Sequence, residues 1–294
     1  MEKTLRYVII TPAHNEERDI EKTISSMIAQ TVPPLAWVIV NDGSTDKTSE
    51  IVRQYQPQCP WIKLVELPIH RDRQFAAKVS AFNAGYATAR DIAYDLIGNL
   101  DADLSFEPDY MEYLIGKIAA DPKLGVVGTP FIEDENERGY DFRFANIEHV
   151  SGACQLFRRT CFEEIGGYTP IRGGGIDWVA VTSARMKGWK TRTFTERTLF
   201  HHRPMGTGRG NVIQARYRLG REDYYLGSHP LWELLRSFFQ MRYKPYVFGG
   251  LAILVGYFWA EICRVKRHTQ PELVRFYRKE QMTRLRGKLK IGKQ

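Results

Sequence analysis

The chain has 294 residues, of which 43% are hydrophobic and 26% charged, and its 24 glycines and 14 prolines follow no fixed period. This is the composition of a globular protein, so it excludes a disordered chain and a collagen-like repeat. The net charge is +8, but the segment from Arg264 to Gln294 carries eleven Lys and Arg against two Glu, so the rest is nearly neutral. A nucleic-acid-binding domain would carry positive charge on its body, and we therefore expect no nucleic-acid partner.

The cysteines and the N-terminus indicate where the chain works. The four cysteines, Cys59, Cys154, Cys161 and Cys263, form neither a CxxC pair nor the spacing of a zinc site. They are therefore expected to be buried thiols in a reducing compartment. The apolar run near the N-terminus is too short for a signal peptide and lacks a small-residue cleavage site, which favours a protein that faces the cytoplasm.

Strands and helices alternate in the first hundred residues, with short connections between them. Apolar, β-branched runs predict strands, and apolar residues that recur every three or four positions predict helices. The predicted elements are, in chain order, a strand at 5–11, a helix capped by Asn15, a strand at 36–40, a helix at 48–55, a strand at 61–67, a helix from Phe75 and a strand at 94–100. This alternation predicts a mostly parallel sheet with right-handed crossovers.

Polar clusters follow these strands at 11–16, 41–46, 71–78 and 101–103. In an open parallel sheet, ligands bind beyond the carboxyl ends of the strands. The clusters therefore predict one shared ligand site, although each also has a structural explanation. Asp42 can close an Asx turn, and the Asp101–Asp103 pair can lie in a solvated turn as readily as it can share a divalent cation.

The middle of the chain adds two further candidates. The elements predicted there are a strand followed by a turn at 125–130, a polar loop at 133–139, a helix from Asp177 to Lys187 and a short strand at 191–194. Asp177 follows a glycine-rich run, where its carboxylate can act as a general base or cap the helix. His201 or His202 can contact a metal or a diphosphate, and a surface or structural role is about equally expected.

Seven motifs occur in an order that resembles the family 2 glycosyltransferases of the GT-A fold, over roughly residues 5–205. They are PAHNE (12–16), NDGSTD (41–46), KVSAFNAG (78–85), DAD (101–103), the arginine-to-IGGY stretch (158–168), ID (176–177) with a glycine eleven residues later, and HHR (201–203). The resemblance implies an α/β protein with a GT-A, Rossmann-like, mostly parallel sheet flanked by helices. It also implies an inverting hexosyltransferase with a nucleotide-sugar donor and a divalent metal, Mg²⁺ or Mn²⁺.

The resemblance also implies which residues bind the donor, a UDP-sugar or a GDP-sugar. Pro12, Glu16 and Asp42 match the positions that hold the base and the ribose. Lys78 would lie near the nucleotide or its diphosphate, and Asp101 would be the first acid of the DxD pair. These five residues form the expected nucleotide-sugar site.

The metal and the catalytic base are implied in the same way. Asp103 matches the more direct metal ligand of the DxD pair, and His201 matches a late histidine that approaches the metal or the diphosphate. Asp177 matches the second acid of the Glu-Asp motif, the catalytic base. The sequence departs from that motif at Ile176 and Val179, where acids are common in the family, so Asp177 is the one acid left for the role.

The last third of the chain, 206–294, differs in character from the expected transferase domain at 1–205. Its glycine-rich basic run at 206–211 suits a loop over an anionic ligand or a plain linker. The apolar run at 246–260 is 15 residues long and has basic residues on both sides, whereas a spanning helix needs about 20 residues. We expect a helical region on the cytoplasmic face of a membrane, peripheral or monotopic, in which 246–260 is a re-entrant or in-plane helix. A buried core or dimer helix and a short span are the alternatives.

Attachment to the inner face of a membrane predicts a lipid-linked glycan acceptor, in the synthesis of surface polysaccharide or glycolipid. One alternative is a sugar-phosphate nucleotidyltransferase, which usually has a glycine-rich basic loop after its first strand, where this chain has PAHNE. A second is a non-enzymatic, membrane-surface nucleic-acid-binding protein, which the nearly neutral body disfavours. A third is an inactive scaffold, which the intact Asp42, Asp103 and Asp177 disfavour.

Overall fold

The computed structural model of the chain describes residues 5–69, 75–133, 147–171, 174–203 and 211–291. It contains two compact units. The first comprises Met1–Arg172 and Ile176–Pro204, and the second comprises Gly173–Gly175 and Met205–Gln294. Most of the loops predicted at 133–139 and 206–211, and the first part of the cluster at 71–78, lie outside the described residues.

The first unit is an α/β fold, as predicted from the alternation of elements. Its strands are β1 (Tyr7–Ala13), β2 (Ala36–Asp42), β3 (Ile62–Leu67), β4 (Leu96–Leu100), β5 (Leu104–Ser105), β6 (Leu124–Gly128), β7 (Phe131–Ile132), β8 (Cys154–Arg158), β9 (Lys190–Thr193) and β10 (Leu199–His201). Its helices are α1 (Ile20–Ile28), α2 (Thr48–Tyr55), α3 (Phe75–Ala89), α4 (Tyr110–Ala120), α5 (Arg159–Glu164) and α6 (Ile176–Met186).

Seven of these strands form the main sheet, in the order β3-β2-β1-β4-β8-β6-β9. The sheet is mostly parallel, as predicted, and β8 is the strand that runs antiparallel to both of its neighbours. A smaller sheet has the order β5-β10-β7. Because β1 pairs with β2 on one side and with β4 on the other, the carboxyl ends of these three strands lie side by side.

The central strands of the main sheet are buried on both faces, which explains their nearly continuous apolar runs. Alternate residues of β1 enter opposite cores: Ile9 packs in one cluster with Trp37, whereas Ile10 packs in the other with Val38. Gly85 allows α3 to lie close to the sheet, since a Cβ atom there would lie 2.7 Å from a methyl group of Ile10. This close packing holds the helix that carries Lys78 against β1 and β2.

The predicted helix cap at Asn15 is wrong, because this residue joins two strand-end loops instead. The helix α1 begins at Ile20 with Asp19 as its N-cap, and Asn15 has a φ of 55°. Its amide nitrogen donates to Ser44 Oγ at 2.9 Å, and its side-chain oxygen accepts from the amide of Thr45 at 2.8 Å. Asn tolerates this left-handed conformation better than most residues, so the loop after β1 is fixed against the loop after β2.

The cysteine prediction is correct for three residues and wrong for one. Cys59, Cys154 and Cys161 are buried free thiols, whereas Cys263 is exposed. Cys263 is the C-cap of the third helix of the second unit, and the chain turns away from the helix there. A thiol at that position lies on the surface and does not pack in the core.

The second unit is helical in its described part. Its helices are α7 (Val212–Leu226), α8 (Pro230–Gln240), α9 (Tyr246–Ile262) and α10 (Pro271–Ile291). Two glycines bring α7 and α9 into close contact: a Cβ atom on Gly220 would lie 2.0 Å from the carbonyl oxygen of Ile253, and one on Gly256 would lie 2.1 Å from that of Tyr217. Across the described part of the chain, every helix is too short or too polar to cross a membrane.

Candidate active site

Adjacent strand ends place most of the predicted site residues on one edge of the main sheet. Asp42 is the last residue of β2, Pro12 lies near the end of β1, and Asp101 follows β4 directly. His14, just beyond β1, places Nδ1 2.6 Å from the carbonyl oxygen of Asp42. Since β1 separates β2 from β4, the edge has a Pro12–Asp42 side and an Asp101 side.

Asp103 is the most deeply buried acid of this edge, with 1% of the residue exposed. Its Oδ2 lies 3.0 Å from Arg203 Nη2, and its Oδ1 lies 3.4 Å from His201 Nε2. Both carboxylate oxygens are nevertheless buried without a hydrogen bond of good geometry. A buried, incompletely satisfied carboxylate is costly, so it is a position where a ligand can bind with a large gain.

Arg203 connects Asp103 with Glu16, which follows β1. Its Nη2 atom lies 2.8 Å from Glu16 Oε1 and thus lies between two carboxyl groups. The loop that contains Glu16 is held by Thr48, whose hydroxyl accepts from the Glu16 amide at 2.8 Å. Arg203 has no predicted role from sequence, where the one signal for it is its position directly after the two histidines.

Lys78 and Asp101 form a close ion pair on the same edge. Lys78 Nζ lies 2.5 Å from Asp101 Oδ1, and Asn99 Nδ2 lies 3.5 Å from the same oxygen. The pair brings together two residues that the resemblance assigns to the donor. A lysine in this position supplies positive charge next to the DxD acids.

The two histidines point to different partners. His201 is the last residue of β10 and pairs across the small sheet with Leu104, so it lies beside the DxD turn. Its Nδ1 lies 3.6 Å from Glu133 Oε1. The Nε2 atom of His202 lies 2.6 Å from Ser105 Oγ, and its Nδ1 lies 3.4 Å from Lys22 Nζ. Only His201 of the two therefore takes part in the acidic cluster.

The donor set of this cluster fits a hard divalent cation. Asp101, Asp103 and His201 each offer one ligand atom, and these atoms lie within 4.8 Å of one another. The two carboxylates suit Mg²⁺ or Mn²⁺, and the imidazole adds a nitrogen ligand that Mn²⁺ accepts more readily than Mg²⁺. The Nδ1 atom of His201 and both oxygens of Asp103 are buried and lack hydrogen bonds, which is the pattern expected of ligands prepared for an ion.

The charges around this cluster shift several pKa values. Burial raises the pKa of Glu16 to about 7, although the charge of Arg203 opposes this change. Burial also acts against ionisation of Asp103, but the nearby positive charges of His201, Arg203 and Lys78 together outweigh it and lower the pKa of Asp103. The pKa of Asp101 is raised by burial against the attraction of Lys78. Of these three acids, Asp103 is the one whose pKa is lowered.

Asp177 is positioned by the segment that precedes β8. It lies in the first turn of α6, where its Oδ2 accepts from the Gly152 amide at 3.0 Å. The carbonyl of Gly152 in turn accepts from Asn99 at 2.7 Å, so two hydrogen bonds join Asp177 to the strand that leads into the DxD turn. His149 Nε2 lies 3.9 Å from Asp177 Oδ2.

A buried amide supports the first turn of α6. Gln155 donates to the carbonyl of Val150 at 2.8 Å and to that of Asp177 at 3.5 Å, and it accepts from the Tyr168 hydroxyl at 2.6 Å. Sequence reasoning missed Gln155, Asn99 and His149 because nothing in their local sequence marks them. Their importance comes from contacts between segments that are distant in the chain.

Comparison with known families gives one match that covers more than half of the chain. The model described as glycosyl transferase family 2 matches residues 8–166. That range includes β1 through α5, and with them the DxD turn. The candidate base and the histidine pair lie beyond it.

Comparison with curated proteins finds relatives over the same part. Poly-beta-1,6-N-acetyl-D-glucosamine synthase from Staphylococcus epidermidis is 28% identical over 171 residues, which are 52% of this chain and 39% of that protein. The probable glycosyltransferase YdaM from Bacillus subtilis (strain 168) is 30% identical over 190 residues, 57% of this chain and 44% of that protein. The matches therefore span less than half of the length of these relatives.

Comparison with solved structures supports the fold. The mannosyltransferase PcManGT from Pyrobaculum calidifontis, in complex with GDP-Man and Mn²⁺, has a TM-score of 0.57 at 19% identity and covers 91% of this chain and 77% of that one. TarS 1-349 from S. aureus, in complex with UDP-GlcNAc, has a TM-score of 0.56 at 15% identity, covering 92% and 79%. At this identity the likeness extends to the fold alone.

Proposed function

Because the chain belongs to glycosyl transferase family 2, we propose that it transfers a sugar from a nucleotide-diphosphate sugar to a hydroxyl group of a lipid-linked acceptor, with inversion at the anomeric carbon. The observation that carries this proposal is the buried Asp103 carboxylate, held between Arg203 and His201 without a good hydrogen bond. An arrangement of this kind has the chemistry of a binding site for a cation and a diphosphate.

The donor is proposed to lie across the edge of the sheet. Its base and ribose would bind on the Pro12–Asp42 side, where a carboxylate can accept hydrogen bonds from a base N–H or a ribose hydroxyl. Its diphosphate would reach the other side, where Arg203 and Lys78 supply positive charge. A UDP-sugar or a GDP-sugar is favoured, since the similar structures named above hold one of each.

A divalent metal, Mg²⁺ or Mn²⁺, is proposed to be held by Asp101, Asp103 and His201. When bound, it supplies Lewis-acid stabilisation of the negative charge on the departing nucleoside diphosphate. Lys78 and Arg203 would add fixed positive charge beside the diphosphate, so the chain would stabilise the leaving group as well. Support for the metal comes from the donor set and from the Mn²⁺ in the mannosyltransferase complex.

Asp177 is the proposed general base. It would take the proton from the acceptor hydroxyl as the hydroxyl oxygen attacks the anomeric carbon, on the face opposite the diphosphate. The hydrogen bond from the Gly152 amide to Oδ2 fixes the orientation of the carboxylate and leaves Oδ1 for the acceptor. His149, near the same oxygen, would stabilise the ionised form whenever it is protonated.

The proposed acceptor is a lipid-linked glycan at the cytoplasmic face of a membrane, in the assembly of surface polysaccharide or glycolipid. The relatives named above include a synthase of a polysaccharide, which supports the broad class of product. The second, helical and basic unit supports the location. A transferase attached to the membrane would meet a lipid-linked acceptor at high local concentration.

A panel of UDP-, GDP- and dTDP-sugars, tested with and without Mn²⁺, is the direct assay. We expect metal-dependent cleavage of one donor and a fall in turnover of about 10²–10⁴-fold in Asp177→Asn, with the donor affinity retained. Asp91→Asn, an exposed acid in a turn after α3, is the matched control and should behave as wild type. Full turnover in Asp177→Asn would remove that residue from the role. Synthesis of a nucleotide sugar from a nucleotide and a sugar phosphate would favour the nucleotidyltransferase alternative.

A further inference from the structure

The helix α9 exposes a continuous row of large apolar side chains. Phe248, Leu251, Val255, Trp259 and Ile262 are between 44% and 73% exposed. Their spacing of three and four residues places them on one face of the helix, along nearly its whole length. A single exposed apolar residue needs no explanation, but a row of five is a surface that a soluble monomer rarely leaves uncovered.

The neighbouring helix α8 carries a second row. Leu231, Leu235 and Phe238 are again spaced by four and three residues and are between 44% and 54% exposed. The two helices pack directly on each other, since a Cβ atom on Gly250 of α9 would lie 2.4 Å from the carbonyl oxygen of Ser237 of α8. We call these eight residues of α8 and α9 the apolar rows.

The apolar rows cannot be the core of this unit, because the opposite faces of the helices already form that core. The inner face of α9 contains Ala252, Ile253, Gly256 and Tyr257, all buried. The contact between α7 and α9 is close because glycines lie at it. If α9 were rotated to bury another of its faces, a larger side chain would lie at this contact and clash with α7. The rows are therefore available to a partner while the unit stays folded.

Charge distinguishes between possible partners. The segment 211–291 carries sixteen Lys and Arg against six Asp and Glu. Arg242 and Lys244 precede α9, Arg264 and Lys266 follow it, and all four are exposed. A second copy of this chain would bring two strongly positive surfaces together, whereas an anionic lipid surface complements both the apolar rows and their basic flanks.

We propose that the apolar rows dock the protein on an anionic lipid bilayer, with α9 lying in the plane of the interface. The row extends along 15 residues of α9, from Phe248 to Ile262, so the helix presents its side rather than its end. Its 17 residues are fewer than the roughly 20 that a spanning helix needs. Trp259 and Phe248 suit the boundary between headgroups and acyl chains, and the flanking cations suit the anionic headgroups.

Docking on an anionic bilayer would bring the proposed transferase to a lipid-linked acceptor. The docking proposal rests on the proposed function only for this consequence. The contacts of the apolar rows with lipid require no donor, metal or catalytic residue. A binding assay without nucleotide can therefore fail while the transferase assay succeeds, and the reverse also holds.

The experiment is co-sedimentation of the full chain with vesicles of phosphatidylcholine alone or with phosphatidylglycerol, without nucleotide. We expect binding to the anionic vesicles that weakens with salt, and a loss of about tenfold for Ile262→Ser and more for Phe248→Ser combined with Ile262→Ser. Ile69→Ser is the matched control, because Ile69 and Ile262 are both 73% exposed and Ile69 lies in the first unit.

The proposal is overturned if the double variant and Ile69→Ser bind anionic vesicles equally well. It is also overturned if the wild type ignores vesicles but forms a stable dimer that the double variant loses, since the rows would then be an interface between copies. Because the substituted side chains are exposed, thermal melting of each variant should match the wild type and confirm that folding is intact.

Discussion

Both units of the molecule contain an arginine between two acids that are largely buried, and the two clusters differ in how completely their acids are hydrogen-bonded. In the first unit, Arg203 lies between Glu16 and Asp103 and is 46% exposed at its side chain. In the second, Arg236 lies between Asp223 and Glu233 and is 17% exposed. The first cluster is open to solvent on its cationic side, and the second is closed.

The partners of the acids differ in the same way. Glu233 also lies 3.4 Å from the Ser228 hydroxyl, which accepts from Gln281 at 2.9 Å, so the closed cluster belongs to a connected polar core. The two oxygens of Asp103 have no good hydrogen bond. A buried charge that is fully paired fixes a fold, whereas one left incompletely paired is available for a ligand. We therefore assign stability to the closed cluster and function to the open one.

Breaking the closed cluster should have the largest effect on stability. Arg236→Met leaves Asp223 buried without its cation and should lower the free energy of unfolding by about 3–5 kcal/mol. Urea denaturation measures this change, and turnover per folded molecule should stay near wild type. Adding Asp223→Leu should restore much of the stability, because the orphaned charge is then removed as well. An Arg236→Met variant as stable as wild type would contradict the structural role of the closed cluster.

Breaking the open cluster should change ligand binding and leave the fold intact. Arg203→Ala removes a cation that competes with a metal at Asp103, so the affinity of the nucleotide-free chain for Mn²⁺ should rise. The same variant should bind UDP or GDP about 10- to 100-fold more weakly, because a charge-assisted contact with the diphosphate is lost. Calorimetric titration checks both, with Arg197→Ala, which removes an exposed pair with Asp109, as the control. Unchanged affinities for both ligands would exclude Arg203 from the site.

The smallest expected effect, at most about 1.4 kcal/mol per pH unit, is a pH dependence of stability in the closed cluster. Burial and the charge of Asp223 raise the pKa of Glu233 to about 8, so the folded chain holds a proton that the unfolded chain releases near the ordinary pKa of about 4.3. The stability that Glu233 contributes is complete below a pH of about 4.3 and is lost as the pH rises through about 8. Melting curves should therefore show the wild type weakening over this window and Glu233→Gln weakening less. If the melting temperature falls equally with pH in both proteins, Glu233 is excluded as the source of the pH dependence.

The local elements of the first unit could be predicted because their signals are local. The helix α2 at Thr48–Tyr55 and the strands that lead to Asp42 and Asp101 follow from apolar runs and from the turns that bound them. The insertion of β8 between β4 and β6 could not be predicted, because pairing across the sheet depends on segments more than 50 residues apart. The sequence of β8 does not indicate that this strand runs antiparallel to its neighbours.

The site was predictable to the extent that strand ends are predictable. Asp101, Asp103 and Lys78 follow from their positions, and the contact between His201 and Asp103 joins residues that the family resemblance had named. The bond of Arg203 to Glu16 spans 187 positions and could not be inferred from either segment. The same is true of the exposed row on α8, since an amphipathic pattern indicates a helix with two faces but not which face stays uncovered.

The central claim is that the open cluster, with Asp103 at its centre, binds one divalent metal together with a nucleoside diphosphate. Titration of Mn²⁺ into the full chain with UDP or GDP present, followed by electron paramagnetic resonance, tests it most directly. We predict one bound Mn²⁺ per chain, lost in Asp103→Asn and kept in Asp109→Asn, an exposed acid outside the site. Mn²⁺ binding of wild-type affinity in Asp103→Asn would contradict the account.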